Sequence, residues 1–342
     1  MKVRSKVPLR LGLAGGGTDV SPYCDMYGGC ILNATIDLFA YCTLCPTNDG
    51  MIRFTALDRE ESFEAPVADR LETNGALDLH KGVYNRVIRE FKIEPFAFDL
   101  KSHSDAPSGS GLGSSSTMVV AILQAFVEYL NLPLGEYDIA QLAYSIERED
   151  LALSGGKQDQ YAATFGGFNF MEFYADNRVI VNPLRIREQH IEELEASMML
   201  YYTGISRSSA RIIEDQKNSL QSSNENRLKA MHQIKNDAYL LKEYLLKGEF
   251  AKMFYTMRDS WQAKKNTSDS ITNSHIDEIY NTALESGAYS GKISGAGGGG
   301  FMMLFVDPLK RLSIRKALSS FDGEFVNFHF FKKGANSWKV NE

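Results

Sequence analysis

The sequence predicts an α+β chain of two layered domains, residues 1–190 and 191–342. Three observations carry this. A chain of 342 residues exceeds the ~100–200 that one domain usually takes. Strand-like and helix-like segments mix without a strict βαβ repeat, which favours α+β layering. The sequence also turns charged around Pro183 to Glu195, where the boundary is placed.

In chain order, Val3 to Leu13 reads as a strand ending in Gly15-Gly16-Gly17 and Thr18-Asp19, a bare backbone turn suited to close ligand approach. Gly28-Gly29 turns the chain into a second strand-rich run, Cys30 to Pro46, and Met51 to Ala56 follows the Asn48-Asp49-Gly50 turn as a third. Gly82 to Lys92 is expected as a helix, Phe96 to Ser102 as a strand, and Met118 to Leu130 and Leu134 to Ala152 as helices. A short helix after Gln160, the strand Phe168 to Phe173 and the strand Ser197 to Thr203 come next. Long helical patterns cover about 226–247, 250–265 and 274–286, and a glycine-rich loop from Lys292 to Gly300 leads into the strand Phe301 to Val306. A helix at 308–320 and a strand at 326–331 close the chain.

Composition narrows the function. With 23% charged and 44% hydrophobic residues and no run of ~18 apolar positions, no membrane span is expected. Met1 to Arg10 carries no apolar stretch behind its basic residues, so no secretory signal is expected and the cytoplasm is the expected compartment. A net charge of −6 without a broad basic stripe argues against a nucleic-acid binder, so any phosphate bound belongs to a small molecule. Cys24, Cys30, Cys42 and Cys45 are read as reduced core thiols, because the Cys42/Cys45 pair has neither a second pair nor a nearby His to complete a zinc site.

The organising stretch is Pro107 to Thr117. Gly109, Gly111 and Gly113 alternate with Ser110 and Leu112 and run into Ser114, Ser115, Ser116 and Thr117 at the head of an apolar helix. A glycine loop feeding a helix N-terminus offers unpaired N–H groups and the positive dipole end to an anion. A Ser/Gly linker does not end in a long apolar helix. A P-loop needs Lys after its last glycine, and a dinucleotide fingerprint needs another glycine spacing. Asp159 can accept a proton from, or align, a substrate hydroxyl, and equally can cap the helix beside it. Glu147 with Ser115 suits Mg²⁺, which takes hard oxygen ligands, but a charged helix residue is also at home in solvent. Arg10, in an apolar strand, needs either an anion such as phosphate or Asp159, or a route to water. Gly297 to Gly300 can pass close to a ligand or form a tight turn, although four glycines exceed what a two-residue turn requires.

Three motifs in order, Pro8-Leu9-Arg10 through Asp19, Pro107 through Ser116 and Lys292 through Gly300, make the chain resemble the GHMP small-molecule kinases. The resemblance implies an N-terminal domain like the second domain of ribosomal protein S5, a ferredoxin-like C-terminal domain, and a site in the cleft between them. It implies ATP phosphates on Pro107 and Gly109 through Ser116, Mg²⁺ on Ser115 and Glu147, and a catalytic Asp159 oriented by Arg10. Lys292 through Gly300, with Gly297 and Gly298 toward the substrate, would close over the phosphates. Among the members, the chain is most similar to those that phosphorylate the anomeric oxygen of D-glycero-D-manno-heptose 7-phosphate to the 1,7-bisphosphate. Fucose or galactose kinase activity, or a sensor that binds ATP and sugar without turnover, are the alternatives. Galactokinase-like members carry Gly-Glu-His where this chain has Gly15-Gly16-Gly17. The missing carboxylate leaves room for an anionic sugar phosphate on the turn's N–H groups, with Thr18 and Asp19 toward the sugar and Lys157 and Arg207 as candidate phosphate ligands. ATP and a sugar phosphate are the expected partners, and a homodimer is left open.

Overall fold

The computed structural model describes residues 1–205, 212–215 and 225–341. Its first sheet has eight strands: β1 (Lys2–Ala14), β2 (Gly29–Pro46), β3 (Met51–Ala56), β4 (Glu61–Pro66), β5 (Phe98–Ser104), β6 (Phe168–Phe173), β7 (Val179–Pro183) and β12 (Asn336–Val340). β2 is long enough to serve two neighbours on one edge. Its first half, Gly29 to Ala34, pairs with β6, and its second half, Ala40 to Pro46, pairs with β5. Only the β3–β5 pair is parallel among these strands.

The second sheet has four strands, β8 (Met198–Tyr202), β9 (Ala288–Ile293), β10 (Phe301–Val306) and β11 (Glu324–Val326), in the antiparallel order β11-β8-β10-β9 that a ferredoxin-like domain requires. β10 explains how the two sheets join. All six of its residues are apolar and buried, so it is covered on both faces. Phe301, Met303 and Phe305 enter a cluster with Leu9, Leu11 and Leu13 of β1, while Met302, Leu304 and Val306 enter one with Ile276, Ile279 and Ile314. The period of two in the strand therefore sends alternate side chains to the core shared with β1 and to the helices behind.

Six helices belong to the first 196 residues: α1 (Tyr23–Tyr27), α2 (Asp78–Phe91), α3 (Ser114–Leu130), α4 (Glu136–Ser145), α5 (Gln158–Phe165) and α6 (Glu188–Ala196). Beyond the short helical stretch at 212–215, four more follow among the described residues, α7 (Glu225–Lys247), α8 (Phe250–Lys265), α9 (Ser274–Glu285) and α10 (Arg311–Leu318). α3 is buried nearly all round, from Ser116 to Val127, as its apolar sequence requires.

Several expectations shift. The serines after Gly113 form the first turn of α3 rather than a loop before it. The helix expected to Ala152 stops at Ser145 and continues as a π turn, Ile146–Asp150. α6 occupies much of the charged stretch where the domain boundary is expected. The chain also does not divide once at 190, because β12 returns to pair with β1 and completes the first sheet. That pairing joins residues over 300 positions apart, and no local pattern encodes it.

Asp237 of α7 is buried, and its Oδ2 has no hydrogen-bond partner among the described residues. Burial pushes its carboxyl up to about 6, with Ser260 opposing and Asp259 adding to the rise. The folded chain therefore holds this proton where the unfolded chain has lost it, and stability falls as pH rises from about 4 to 6. Asp237→Asn should raise stability at pH 7 by about 1–2 kcal/mol, a value discounted for partial solvation. It should change little below pH 4. Melting curves at both pH values test this, and an equal shift at both would rule it out.

Candidate active site

The phosphate-loop candidates sit where the two sheets meet. Gly109, Gly111 and Gly113 all have φ between 76° and 80°, the left-handed region open to glycine. The turn is held by Ser110 N donating to Pro107 O at 3.2 Å, by Ser114 Oγ donating to the same carbonyl at 3.2 Å, and by Arg10 N donating to Leu112 O at 3.1 Å. Gly113 stands at the N-cap of α3 and offers no side-chain acceptor, so the helix opens uncapped toward a cavity of about 470 Å³.

Across that cavity, Arg10 donates from Nε and Nη2 to one oxygen of Asp159, Oδ1, at 2.8 and 2.7 Å. Oδ2 has no protein partner among the described residues. Arg10 is 4% exposed and Asp159 27%, so the arginine is a fixed support and the carboxylate faces the cavity. Arg10 Nη1 also donates to Gly111 O and, at 3.3 Å, to Ser294 Oγ. One guanidinium thus binds the strand, the 109–113 glycine loop, the third glycine loop and Asp159 together. A Cβ on Gly113 would lie 3.2 Å from the Asp159 carboxyl carbon, so the loop and the carboxylate are in near contact.

The helix-cap alternative for Asp159 does not hold. Lys157 occupies the N-cap of α5, and the first N–H groups, those of Lys157 and Gln158, donate to Asp19 Oδ2 at 2.8 and 3.0 Å. Asp19 therefore lines the cavity with one oxygen already committed.

Glu147 is buried in the π turn and reaches the same cavity. Its Oε1 accepts from Ser116 Oγ at 3.0 Å, and Gln160 Nε2 donates to Oε2. Ser115, the expected partner, lies one residue earlier, also on the cavity wall. Burial raises the Glu147 pKa, with the Arg148 guanidinium 3.8 Å away and the two hydrogen bonds opposing. An inserted residue in a helix turns consecutive side chains inward, and here Glu147 and Arg148 both reach the site. Among the described residues no cluster of three or more His, Cys, Asp or Glu could hold a metal, so a cation here depends on one carboxylate, a hydroxyl and the ligand's own oxygens. All four cysteines are free.

Other candidates fall elsewhere. Lys157 is buried with Nζ 3.9 Å from Asp25 Oδ1, near the Tyr144 ring, and does not line the cavity. The third loop shows Gly295 and Ala296 to the cavity, whereas Gly297 packs on Ile271 and Gly298 N donates to Ile271 O at 2.7 Å. Gly15 lies too close to Cys30 O to accept a side chain, and Thr18 Oγ1 lies 2.8 Å from Gly15 O and 2.9 Å from Cys30 O, so both build the turn. Gly16 and Gly17 line the cavity. Arg207 lies outside the described residues.

Lys264 escaped the sequence reasoning, and Lys292, named there only as the start of the third glycine loop, makes a contact that reasoning did not foresee. Lys264, at the end of α8, lines the cavity and donates from Nζ to Gly16 O at 2.9 Å. Lys292 Nζ donates to Gly12 O at 2.7 Å and so ties β9 to the end of β1. Burial pushes Lys264 down to about 8 and Lys292 down to about 7. Both are long-range contacts, over 248 and 280 positions, and helical or strand periodicity gives no sign of them.

Comparison with known proteins identifies the family. Residues 78–167 match the GHMP kinases N terminal domain and residues 241–322 the GHMP kinases C terminal domain. The chain is 51% identical, over 99% of both chains, to D-glycero-alpha-D-manno-heptose 7-phosphate kinase of Campylobacter jejuni. It superposes with a TM-score of 0.85 on a D-glycero-D-manno-heptose 1-phosphate kinase from Bacteroides thetaiotaomicron, at 46% identity over 99% of this chain and 100% of that one. Galactokinase of Lactococcus lactis, at 16% identity and a TM-score of 0.77, shares the fold. With both family domains matched and such identity along the whole length, this chain belongs to the GHMP kinases.

Proposed function

We propose that this kinase transfers the γ-phosphoryl group of ATP to the anomeric C1 hydroxyl of D-glycero-D-manno-heptose 7-phosphate, giving the 1,7-bisphosphate. The observation that carries this is the convergence of an uncapped glycine-loop helix and the Arg10–Asp159 pair on one cavity. The two similar kinases named above differ over whether the phosphate is at position 7 or position 1. A C1 hydroxyl can accept a phosphoryl group only if C1 is free, so the 7-phosphate is the reading that fits a transfer to the anomeric oxygen.

In this reading the loop from Gly109 to Gly113 and the first turn of α3 hold the ATP phosphates by backbone N–H groups and the helix dipole. Arg10 locks one oxygen of Asp159, and the free Oδ2 accepts the hydrogen of the C1 hydroxyl and aims its oxygen at the γ-phosphorus. Loop closure by Gly295 and Ala296 excludes water, which would otherwise compete as acceptor. Glu147 and Ser115 fit Mg²⁺, since a buried carboxylate with a raised pKa gains from a cation beside it. When bound, the ion neutralises charge on the transferring phosphate.

Glu147→Gln keeps the shape of the side chain and removes its charge; one of its two accepting oxygens becomes an amide donor, which Ser116 Oγ can receive. It should lower kcat about 100-fold or more at physiological Mg²⁺, raise the Mg²⁺ needed for half-maximal rate, and leave the melting temperature unchanged or higher. Rates across a Mg²⁺ titration check this, and an unaltered midpoint would remove Glu147 from the metal site. Substrate choice is tested by ATP consumption on heptose 7-phosphate, heptose 1-phosphate, free heptose, fucose and galactose. Turnover confined to an unphosphorylated sugar would overturn the substrate assignment.

A further inference from the structure

We propose that Lys264, together with the Gly16–Gly17 turn, forms a subsite for the phosphate that the sugar substrate already carries. This rests on the substrate reading above. Lys264 comes from α8 and reaches a turn near the start of the chain. An ammonium has three donors, and among the described residues the only hydrogen-bond acceptor for this one is Gly16 O. Burying a cation against a single carbonyl is unfavourable unless an anion joins it.

The neighbouring charges leave that anion unsupplied. Asp19 is the nearest carboxylate to act on Lys264, yet its Oδ2 already accepts two N–H groups from α5. Asp159 gives one oxygen, Oδ1, to Arg10 and turns the other toward the acceptor hydroxyl in the reading above. Lys292 and Arg10 add positive charge nearby, and Lys292 is pushed down first by burial and then by Lys264 and Arg10. Lys264, Lys292 and Arg10 thus gather where Asp19 Oδ2 and Asp159 Oδ1 are already engaged. The backbone N–H groups of Gly16 and Gly17 donate to no protein acceptor among the described residues, and both glycines line the cavity beside Lys264. Unpaired N–H groups next to a buried ammonium are the chemistry of a phosphate nest.

ATP is the other source of such a phosphate. It is disfavoured by position, because the nucleotide loop at 109–113 adjoins Arg10 and Ser294, whereas Lys264 adjoins Gly16 and Asp19. Lys157 cannot replace it, being turned toward Asp25.

The test compares kcat/KM for D-glycero-D-manno-heptose 7-phosphate and for the unphosphorylated heptose in wild type, Lys264→Met and Gly16→Glu. Lys264→Met should lower the value for the phosphorylated sugar about 30-fold or more, through the sugar KM, with a loss at least about tenfold smaller on the free heptose. Gly16→Glu is a second probe, because a Cβ there meets open space and the residue has no positive φ, so the new carboxylate enters the turn without backbone strain. It should show the same selective loss through charge repulsion. Equal losses on both sugars in both variants, or a rise confined to the KM for ATP, would overturn the subsite. A wild-type enzyme that ignores the 7-phosphate and uses free heptose would instead overturn the substrate reading, and the subsite with it.

Discussion

Asp159→Asn is expected to lower kcat about 10³-fold while the protein stays folded with near-native stability, and Asp159→Ala should do the same with a further loss of stability. The asparagine can still accept from Arg10 with its oxygen, so the guanidinium keeps a partner. Its amide nitrogen, however, would stand where Oδ2 now is, and a donor cannot receive the hydrogen of a sugar hydroxyl. Alanine removes both functions and leaves Arg10, 4% exposed, facing only Gly111 O and Ser294 Oγ. That should cost about 1–3 kcal/mol, below the range for a fully buried pair because Asp159 is partly solvated. Single-turnover rates and melting curves separate the two effects. Retention of more than a tenth of kcat in the asparagine variant would remove Asp159 from the chemistry.

Gly111→Ala should damage stability and nucleotide binding together. A Cβ at Gly111 overlaps the carbonyl oxygen of Ser294, and the residue sits at φ 80°, where an L side chain costs about 1–2 kcal/mol before any clash is counted. Neither atom can swing aside, since Ser294 O belongs to backbone fixed by Ser294 N donating to Phe301 O at 2.8 Å. Relief requires the 109–113 loop to part from the third glycine loop, which withdraws Gly111 O from Arg10 and so disturbs Asp159. The expected result is a loss of more than about 3 kcal/mol and a rise of more than about tenfold in the KM for ATP. Gly16→Ala, by contrast, should leave the melting temperature within about 2 °C, because its Cβ meets nothing within 4 Å among the described residues. Similar melting temperatures for the two variants would mean that the loops are not packed as described.

These two glycines show what a sequence can and cannot convey. Both lie in clusters that look alike as letters, and only the neighbouring backbone separates the crowded one from the open one. The same holds for charges. Arg10 in an apolar strand announces a need for a partner, and Asp159 lies 149 positions away, close enough in kind to be guessed. Glu147 looked like a solvated helix residue until the π turn placed it against Ser116 and Gln160.

By itself the sequence determined the α+β class, most strands and helices of the sheets, and the glycine loop heading α3. Those follow from local causes: alternation of apolar residues, helical periodicity, and backbone conformations reserved for glycine. The tertiary structure decided which cations face the cavity, sending Lys157 to Asp25 and bringing Lys264 to Gly16, and it placed Gly297 and Gly298 against Ile271 instead of the substrate side. It also returned β12 to the first sheet. A flexible lysine's destination, like the pairing of a distant strand, depends on burial and charge assembled from segments hundreds of residues apart, and neighbours in sequence carry no record of that.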